Sequence, residues 1–521
     1  MSVSKNVRAW FPKDLSTPLL RLQASDKKQD DFITLGQTFE GFHIFGAIGS
    51  GKTSGGGQTL ARMMLYNGYG GLVMTVKRDE IETWDGRPGQ RNEPRYMGHL
   101  RAAGREKDAI IVDMNSGHQF NPFLYEMTRP DGLGRRTENL AELLRETYKI
   151  AQAVKGKSVG GGNQSPHWDD IRDECLNRTI DLLKLAGEEV SPMNMRKLVG
   201  SIPFNKEAAD DFVNRITDAE KSQDFEEYQE WIVRRTNYCC YCIDKAFDRE
   251  ELGDSDAFML EEVRSYFLTE YPEVRTENEK GSIQSSFKAM IEPFLDPDGV
   301  LGKLFSQGIS DELRPESCFE KGKIIILDLP TEVFGTGGVY AQTLYRLVWQ
   351  RAMMRRNLNH SLRPIFLWID ECSVLVNRQD GDFFSKCRSQ RISCVLLNQQ
   401  MSKYYARIAG RDPKSETHSM LANLNTHIFH YNGDPETNKW AAEMIGKSDQ
   451  EEFSTTAQSE GDRGSATFRE QNKYDVPPEA FRALQQGGMP HLTTEAYIVS
   501  GVTLSNGKKH TKAIFDQTFM S

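Results

Sequence analysis

Nowhere in the 521 residues does an apolar run reach the roughly 18 positions that a membrane-spanning helix needs. Residues 1–15, MSVSKNVRAWFPKDL, also lack the apolar core of a secretory signal. These absences predict a cytoplasmic chain, or one peripheral at the inner face of the cell membrane. Positive charge is in short supply too. The 65 Lys and Arg are outnumbered by 74 Asp and Glu, for a net charge of −9. A broad basic surface of the kind that coats nucleic acid is therefore not expected, although a narrow basic pore is compatible with the total. Cysteine is sparse, at eight residues. The cluster YCCYC (Cys239, Cys240, Cys242) has no second Cys/His pair at zinc spacing nearby. It reads as buried, reduced thiols in preference to a metal site.

What is present is a soluble composition, 38% hydrophobic and 27% charged, in a chain too long for one ordinary core. Apolar runs that read as buried strands stand at FHIFG (42–46), GGLVMTVK (70–77) and DAIIVDM (108–114). They alternate with helical patterns, which argues for a parallel sheet. From 135 to 300 strand-like runs are missing and apolar residues recur at helical spacing, as in RRTENLAELLRETYKIAQAV and HWDDIRDECLNRTIDLLKLAG. Buried strands return at GKIIILDLP, RPIFLWIDECSVLV, RISCVLLNQQ and THIFHYNG. The expected division is 1–134, first part of an α/β nucleotide-binding domain; 135–300, an all-helical insertion; and 301–521, the second part. Residues 449–472 are polar and poor in aliphatics, which predicts a loop. TEAYIVSGV and KKHTKAIFDQTF predict a terminal hairpin around Asn506-Gly507.

HIFGAIGSGKTSGGG (43–57) fits G-x-x-x-x-G-K-[ST] through Gly46, Gly51, Lys52 and Thr53, after a strand and before a helix. Glycines let successive N–H groups face phosphate oxygens, and the helix N-terminus adds positive potential. Gly46, Gly49, Ser50, Gly51, Lys52, Thr53 and Ser54 form the expected cradle for ATP. Lys52 would neutralise the β- and γ-phosphates and Thr53 would ligate Mg2+. A second acid at a strand tip is required, and IFLWIDE (365–371) supplies Asp370 for the metal and Glu371 as general base. Asn398, Gln399 and Gln400 end a further strand, where Gln399 can sense the γ-phosphate. Arg388 and Arg391 lie just before it, either one able to reach a neighbouring subunit's nucleotide. The three glycines Gly55–Gly57 permit close packing under the nucleotide, close packing against a neighbouring strand, or a frayed first helical turn.

Together these motifs resemble the conjugative coupling ATPases of type IV secretion systems, the TraG/TraD-like motors. HIFGAIGSGKT is similar to that family's phosphate loop. GGLVMTVKRDE stands where the family has Asp-Pro-Lys-Gly-Glu, keeping Lys77 and an acid without the proline and glycine. HQFNPF, the HWDD helix, WIDECSVL, CRSQRISCVLLNQQ and NLNTHIFHYNGDPETNKWAAEMIG extend the similarity over about 33–500. Arg391 stands where the family usually has glycine. The resemblance implies a RecA-like domain with a central mainly parallel sheet, interrupted by an all-helical domain that takes part in substrate recognition. It also implies ATP and Mg2+, a homo-hexamer with nucleotide between subunits, DNA through the middle, and relaxase or secretion-system subunits as partners. Most of the family carries N-terminal transmembrane helices; the start MSVSKN favours a soluble relative, tethered if at all through another subunit, over a chain from which the anchor has been removed. Two other readings keep the site: an FtsK/HerA-like pump of double-stranded DNA, and a docking platform that binds ATP with little turnover. The segment 78–96 fits a pore loop or a surface flap equally.

Overall fold

The computed structural model describes residues 14–22, 31–78, 98–129, 133–154, 166–222, 237–249, 253–377, 380–408, 412–455 and 466–517. The segment expected as a pore loop or flap falls almost wholly outside them, as do 155–165 before the HWDD helix. No helix among the described residues is long and apolar enough to cross a membrane.

Two compact units emerge. One draws on Met1–Ile111, Pro315–Glu332 and Gln350–Ser521, the other on Val112–Arg314 and Val333–Trp349. The chain thus changes unit near 112 and 314, where composition gave 135 and 300, and again near 333 and 349. The reason is local. Asn121 Oδ1 caps the helix Pro122–Met127, accepting from the Phe123 and Leu124 amides at 3.0 and 3.1 Å. The same residue is stitched to the far end of the helical unit, its backbone N–H donating to the Gly308 carbonyl at 2.7 Å. The Asn-Pro of HQFNPF therefore opens the helix Pro122–Met127 of this unit. Its long helices include Thr137–Val154, Pro166–Leu185 and Glu277–Ile291.

The first unit is built on a nine-stranded sheet. Its strands are β3 (Phe42–Phe45), β4 (Gly70–Met74), β5 (Ala109–Val112), β6 (Ile324–Leu327), β7 (Ile365–Ile369), β8 (Ile392–Asn398), β9 (Thr426–His430), β12 (Thr493–Val499) and β13 (His510–Asp516). β1 (Pro18–Leu22) and β2 (Asp31–Thr34) form a separate pair, as do β10 (Lys447–Thr455) and β11 (Ala466–Tyr474). The order across the sheet is β13-β12-β9-β3-β8-β7-β4-β6-β5. β3, β4, β6, β7, β8 and β9 run parallel to their sheet neighbours within that group, and β12 and β13 add an antiparallel edge. Every residue of β3, β4, β6, β7, β8 and β9 is buried. Strands covered on both faces read as unbroken apolar runs, which is why the sequence announced them.

The expected terminal hairpin is β12–β13, with Gly507 at φ 76° in its turn region. The expected loop at 449–472 is corrected. β10 and β11 pair antiparallel from Lys447↔Tyr474 to Thr455↔Ala466, with Phe453 opposite Phe468. A two-stranded ribbon is held by backbone hydrogen bonds and needs no aliphatic stripe, so its polar composition imitated a loop. Cys239, Cys240 and Cys242 lie buried on the helix Tyr238–Phe247, with all three thiols pushed up by burial.

Candidate nucleotide-binding site

Sheet order decides which chain segments meet. β8 lies between β3 and β7, with Phe45 level with Asn398 and Ile369 level with Leu396. The carboxyl ends of the three strands therefore open on one edge, where ligands bind in open α/β sheets. Gly46 follows β3, Asp370 follows β7 and Gln399 follows β8.

The glycine turn is shaped by backbone demands. Gly49 and Gly51 take φ of 77° and 85°, conformations that side chains with a Cβ resist. The turn is tied to both neighbouring strands: the Gly46 amide donates to the Asn398 carbonyl at 3.3 Å and the Ala47 amide to the Tyr431 carbonyl at 2.9 Å. Thr53–Gly57 then forms a short π-helix before the α-helix Gln58–Tyr66. This settles the purpose of the triple glycine. A Cβ on Gly55 would stand 2.4 Å from Thr494 Cγ2 and 3.2 Å from Phe515 Cβ, and one on Gly56 would stand 2.8 Å from His430 Nε2. The glycines are bare because β12, β13 and a buried histidine pack directly on them; burial pushes the His430 imidazole down to about 3. Gly55→Ala should accordingly destabilise the protein by about 1–3 kcal/mol through overpacking, outweighing the gain of about 1 kcal/mol in helix propensity. Urea unfolding checks it; an unchanged or raised midpoint would contradict the packing.

The acids sit opposite the turn. Thr53 Oγ1 donates to Asp370 Oδ2 at 3.0 Å, and the Asp370 Oδ1 accepts the Glu371 amide at 2.8 Å. Glu371 is held at φ 47°, ψ 42°, a left-handed conformation that costs a non-glycine residue on the order of 1 kcal/mol or more. Its buried carboxylate collects four donors. Oε1 accepts from Lys52 Nζ at 3.3 Å, Lys77 Nζ at 2.7 Å and Gln399 Nε2 at 2.6 Å, while Oε2 accepts from Lys403 Nζ at 3.5 Å. Lys52 Nζ is also 3.9 Å from Asp370 Oδ1. Burial opposes ionisation of Glu371, but the charges of Lys52, Lys77 and Lys403 outweigh it and hold the carboxyl down to about 2. A hydroxyl and a carboxylate within hydrogen-bond reach of each other are hard oxygen donors of the kind Mg2+ uses when phosphates complete its shell.

A cavity of about 290 Å3 adjoins this cluster, lined by Gly49, Gly51, Lys52, Thr53 and Ser54 on one side and His99, Gly487 and Gly488 on the other. Gln517, fully buried, ties the two sides together. Its Nε2 donates to Ser54 Oγ at 2.6 Å and its Oε1 accepts the Gly488 amide at 2.7 Å. A larger cleft of about 790 Å3 lies in the helical unit, where Arg275 pairs with Glu174 and Lys184 with Asp181.

Lys52, Thr53, Asp370, Glu371 and Gln399 are thus brought together. The two arginines are not. Both precede β8, a seven-residue strand of roughly 20 Å, and so lie at the opposite edge of the sheet. Arg388 is exposed and pairs with Glu40 at 3.2 Å. Arg391 is buried; its guanidinium lies 6.0 Å over the Phe39 ring and donates to the Leu362 carbonyl at 3.3 Å. Its φ of 51° explains why glycine suits this position. Sequence reasoning missed Lys403, Gln517 and the Gly487-Gly488 wall, and gave Lys77 no role. Lys403 alone left a trace, four residues after Gln399 at the start of a helix.

Residues 364–486 match a family model described as the TraM recognition site of TraD and TraG. Among solved structures, the bacterial conjugative coupling protein TrwBdeltaN70, in its unbound form, is similar over 98% of this chain and 90% of its own, with a TM-score of 0.55 at 14% identity. The plasmid coupling protein TrwB with a non-hydrolysable ATP analogue is similar over 98% and 97%, with a TM-score of 0.54 at 13% identity. Its complex with ADP and Mg2+ gives the same coverage and TM-score at 14% identity. No curated protein matches the chain. The fold is RecA-like, and the resemblance to TraG/TraD-like coupling proteins that the motifs carried is borne out.

Proposed function

We propose that this chain, having the coupling-protein fold, is an ATP-hydrolysing motor of the type IV secretion coupling type, working as a homo-hexamer on DNA. The observation that carries the proposal is the convergence of Lys52, Thr53, Asp370, Glu371 and Gln399 on one sheet edge beside a cavity lined by the glycine turn. The TrwB structures with an ATP analogue and with ADP and Mg2+ support nucleotide as the ligand. The match of 364–486 supports a secretion partner of the TraM kind.

In this reading the turn from Gly46 to Ser54 cradles the phosphates, and Lys52 exchanges Glu371 for the γ-phosphate. Thr53 and Asp370 would hold Mg2+, which when bound neutralises phosphate charge. Glu371, relieved of Lys52, accepts a proton from the attacking water, while Gln399 reports the γ-phosphate. Arg388, exposed and remote from its own Lys52, serves the neighbouring subunit's site. Turnover then moves loops of a central pore against DNA, and relaxase or other secretion-system subunits deliver the cargo.

The test is ATPase rate against protein concentration, with and without single-stranded or duplex DNA, alongside mass by light scattering. The rate per subunit should rise steeply as hexamers form and rise again with DNA, and Arg388→Ala should flatten the first rise. A rate that is flat and blind to DNA would leave a nucleotide-binding docking platform. Stimulation by duplex alone, without a secretion partner, would favour a duplex pump.

A further inference from the structure

We infer that Lys403 is a positioning residue for hydrolysis: it sets the direction of the Gln399 carboxamide and thereby which end of that amide meets Glu371. The inference rests on the ATPase reading above.

A carboxamide has two ends of opposite character, and nothing in Gln399 itself fixes which way it lies. An ammonium has only donors, so it can face only the oxygen. Lys403 Nζ stands 2.6 Å from Gln399 Oε1. That leaves Nε2 pointing at Glu371, a pure acceptor, at 2.6 Å. Lys403 Nζ also reaches Glu371 Oε2 at 3.5 Å, so the ammonium, amide and carboxylate close a three-membered ring of hydrogen bonds. With Lys403 absent, Glu371 alone holds the amide, and once Glu371 engages water nothing prevents a reversed amide from presenting its oxygen to a carboxylate or a phosphate.

The seat of Lys403 is rigid although its side chain is 38% exposed. Its helix, Met401–Tyr405, is pinned on three sides. The Met401 amide donates to Thr437 Oγ1 at 2.9 Å. Tyr404, fully buried, hydrogen-bonds both His43 Nε2 at 2.8 Å and Cys372 Sγ at 2.7 Å. Cys372 follows Glu371 directly, so the acid turn and the helix bearing Lys403 share an anchor. The Gln399 backbone is fixed as well, its carbonyl accepting from Asn432 Nδ2 at 2.7 Å. Only the Gln399 amide direction is left for Lys403 to decide.

The test compares the full-length chain with Lys403→Met and Lys403→Arg in steady-state ATP hydrolysis, with urea unfolding beside it. Lys403→Met should lower kcat roughly 10- to 100-fold with KM for ATP within about twofold, and Lys403→Arg should recover most of the loss. A kcat within about twofold of the unmodified chain, or a loss shared by kcat, KM and the unfolding midpoint, would overturn the inference. A double-mutant cycle with Gln399→Leu, read as the urea midpoint, tests the contact without any turnover. Additive midpoint shifts would overturn the inference even in a chain that hydrolyses nothing, whereas that inactivity itself would count against the ATPase reading.

Discussion

Lys52→Ala should abolish ATP turnover, by at least about 100-fold. Lys52 Nζ reaches both acids, 3.3 Å from Glu371 and 3.9 Å from Asp370, and it lines the cavity formed by the glycine turn. No other lysine near Glu371 belongs to that turn, so Lys77 and Lys403 cannot follow the γ-phosphate in its place. They do retain charge around Glu371, so the fold should survive the substitution. Removing one partner of a buried pair can cost about 3–5 kcal/mol when the other is left unpaired; here Glu371 keeps two ammoniums and an amide. Turnover and urea unfolding should be measured together. Unchanged turnover in a folded Lys52→Ala chain would sink the site assignment.

The second large effect is expected at Glu371. Glu371→Gln should lower kcat by on the order of 100-fold or more, because an amide cannot take the proton from water. Binding should move the other way. The carboxylate pairs with Lys52, so ATP must compete with it for that lysine. Neutralising position 371 removes the competitor, and the affinity for ATP should be kept or improved. Equilibrium binding of a fluorescent ATP analogue, set beside turnover, checks both halves. Hydrolysis at the original rate would remove Glu371 from its role. Loss of binding together with turnover would mean that the carboxylate chiefly maintains the turn.

The two substitutions separate capture from chemistry, and both depend on one geometric fact: three ammoniums surround one buried carboxylate. A γ-phosphate is the natural rival for Lys52, since it brings a larger negative charge to the same place.

Much of this was legible in the chain because it is encoded locally. A parallel strand covered on both faces must be largely apolar, and FHIF, IFLWI and ISCVLLN are. A turn that points amides at phosphate must hold glycine at positive φ, and Gly49 and Gly51 are there. Acids after an apolar strand need cations, and Asp370 and Glu371 find them. The errors came where local composition has two physical meanings. A ribbon held by backbone bonds is as polar as a loop, so β10–β11 could not be distinguished from one. An arginine beside a sensor strand can be exposed or packed, and only the fold shows Arg391 lying on Phe39.

The sequence by itself determined the strands of the nine-stranded sheet, the glycine turn and the pair of acids, since each is a property of a few adjacent residues. Only the tertiary structure decided what surrounds Glu371. Lys52 and Lys77 stand 319 and 294 positions away from it in the chain. Gln517 reaches Ser54 across 463. Such neighbours depend on the order in which strands assemble, β3 beside β8 beside β7 beside β4. That order is set by how nine strands and their covering helices bury their surfaces together, and no short stretch of sequence carries it.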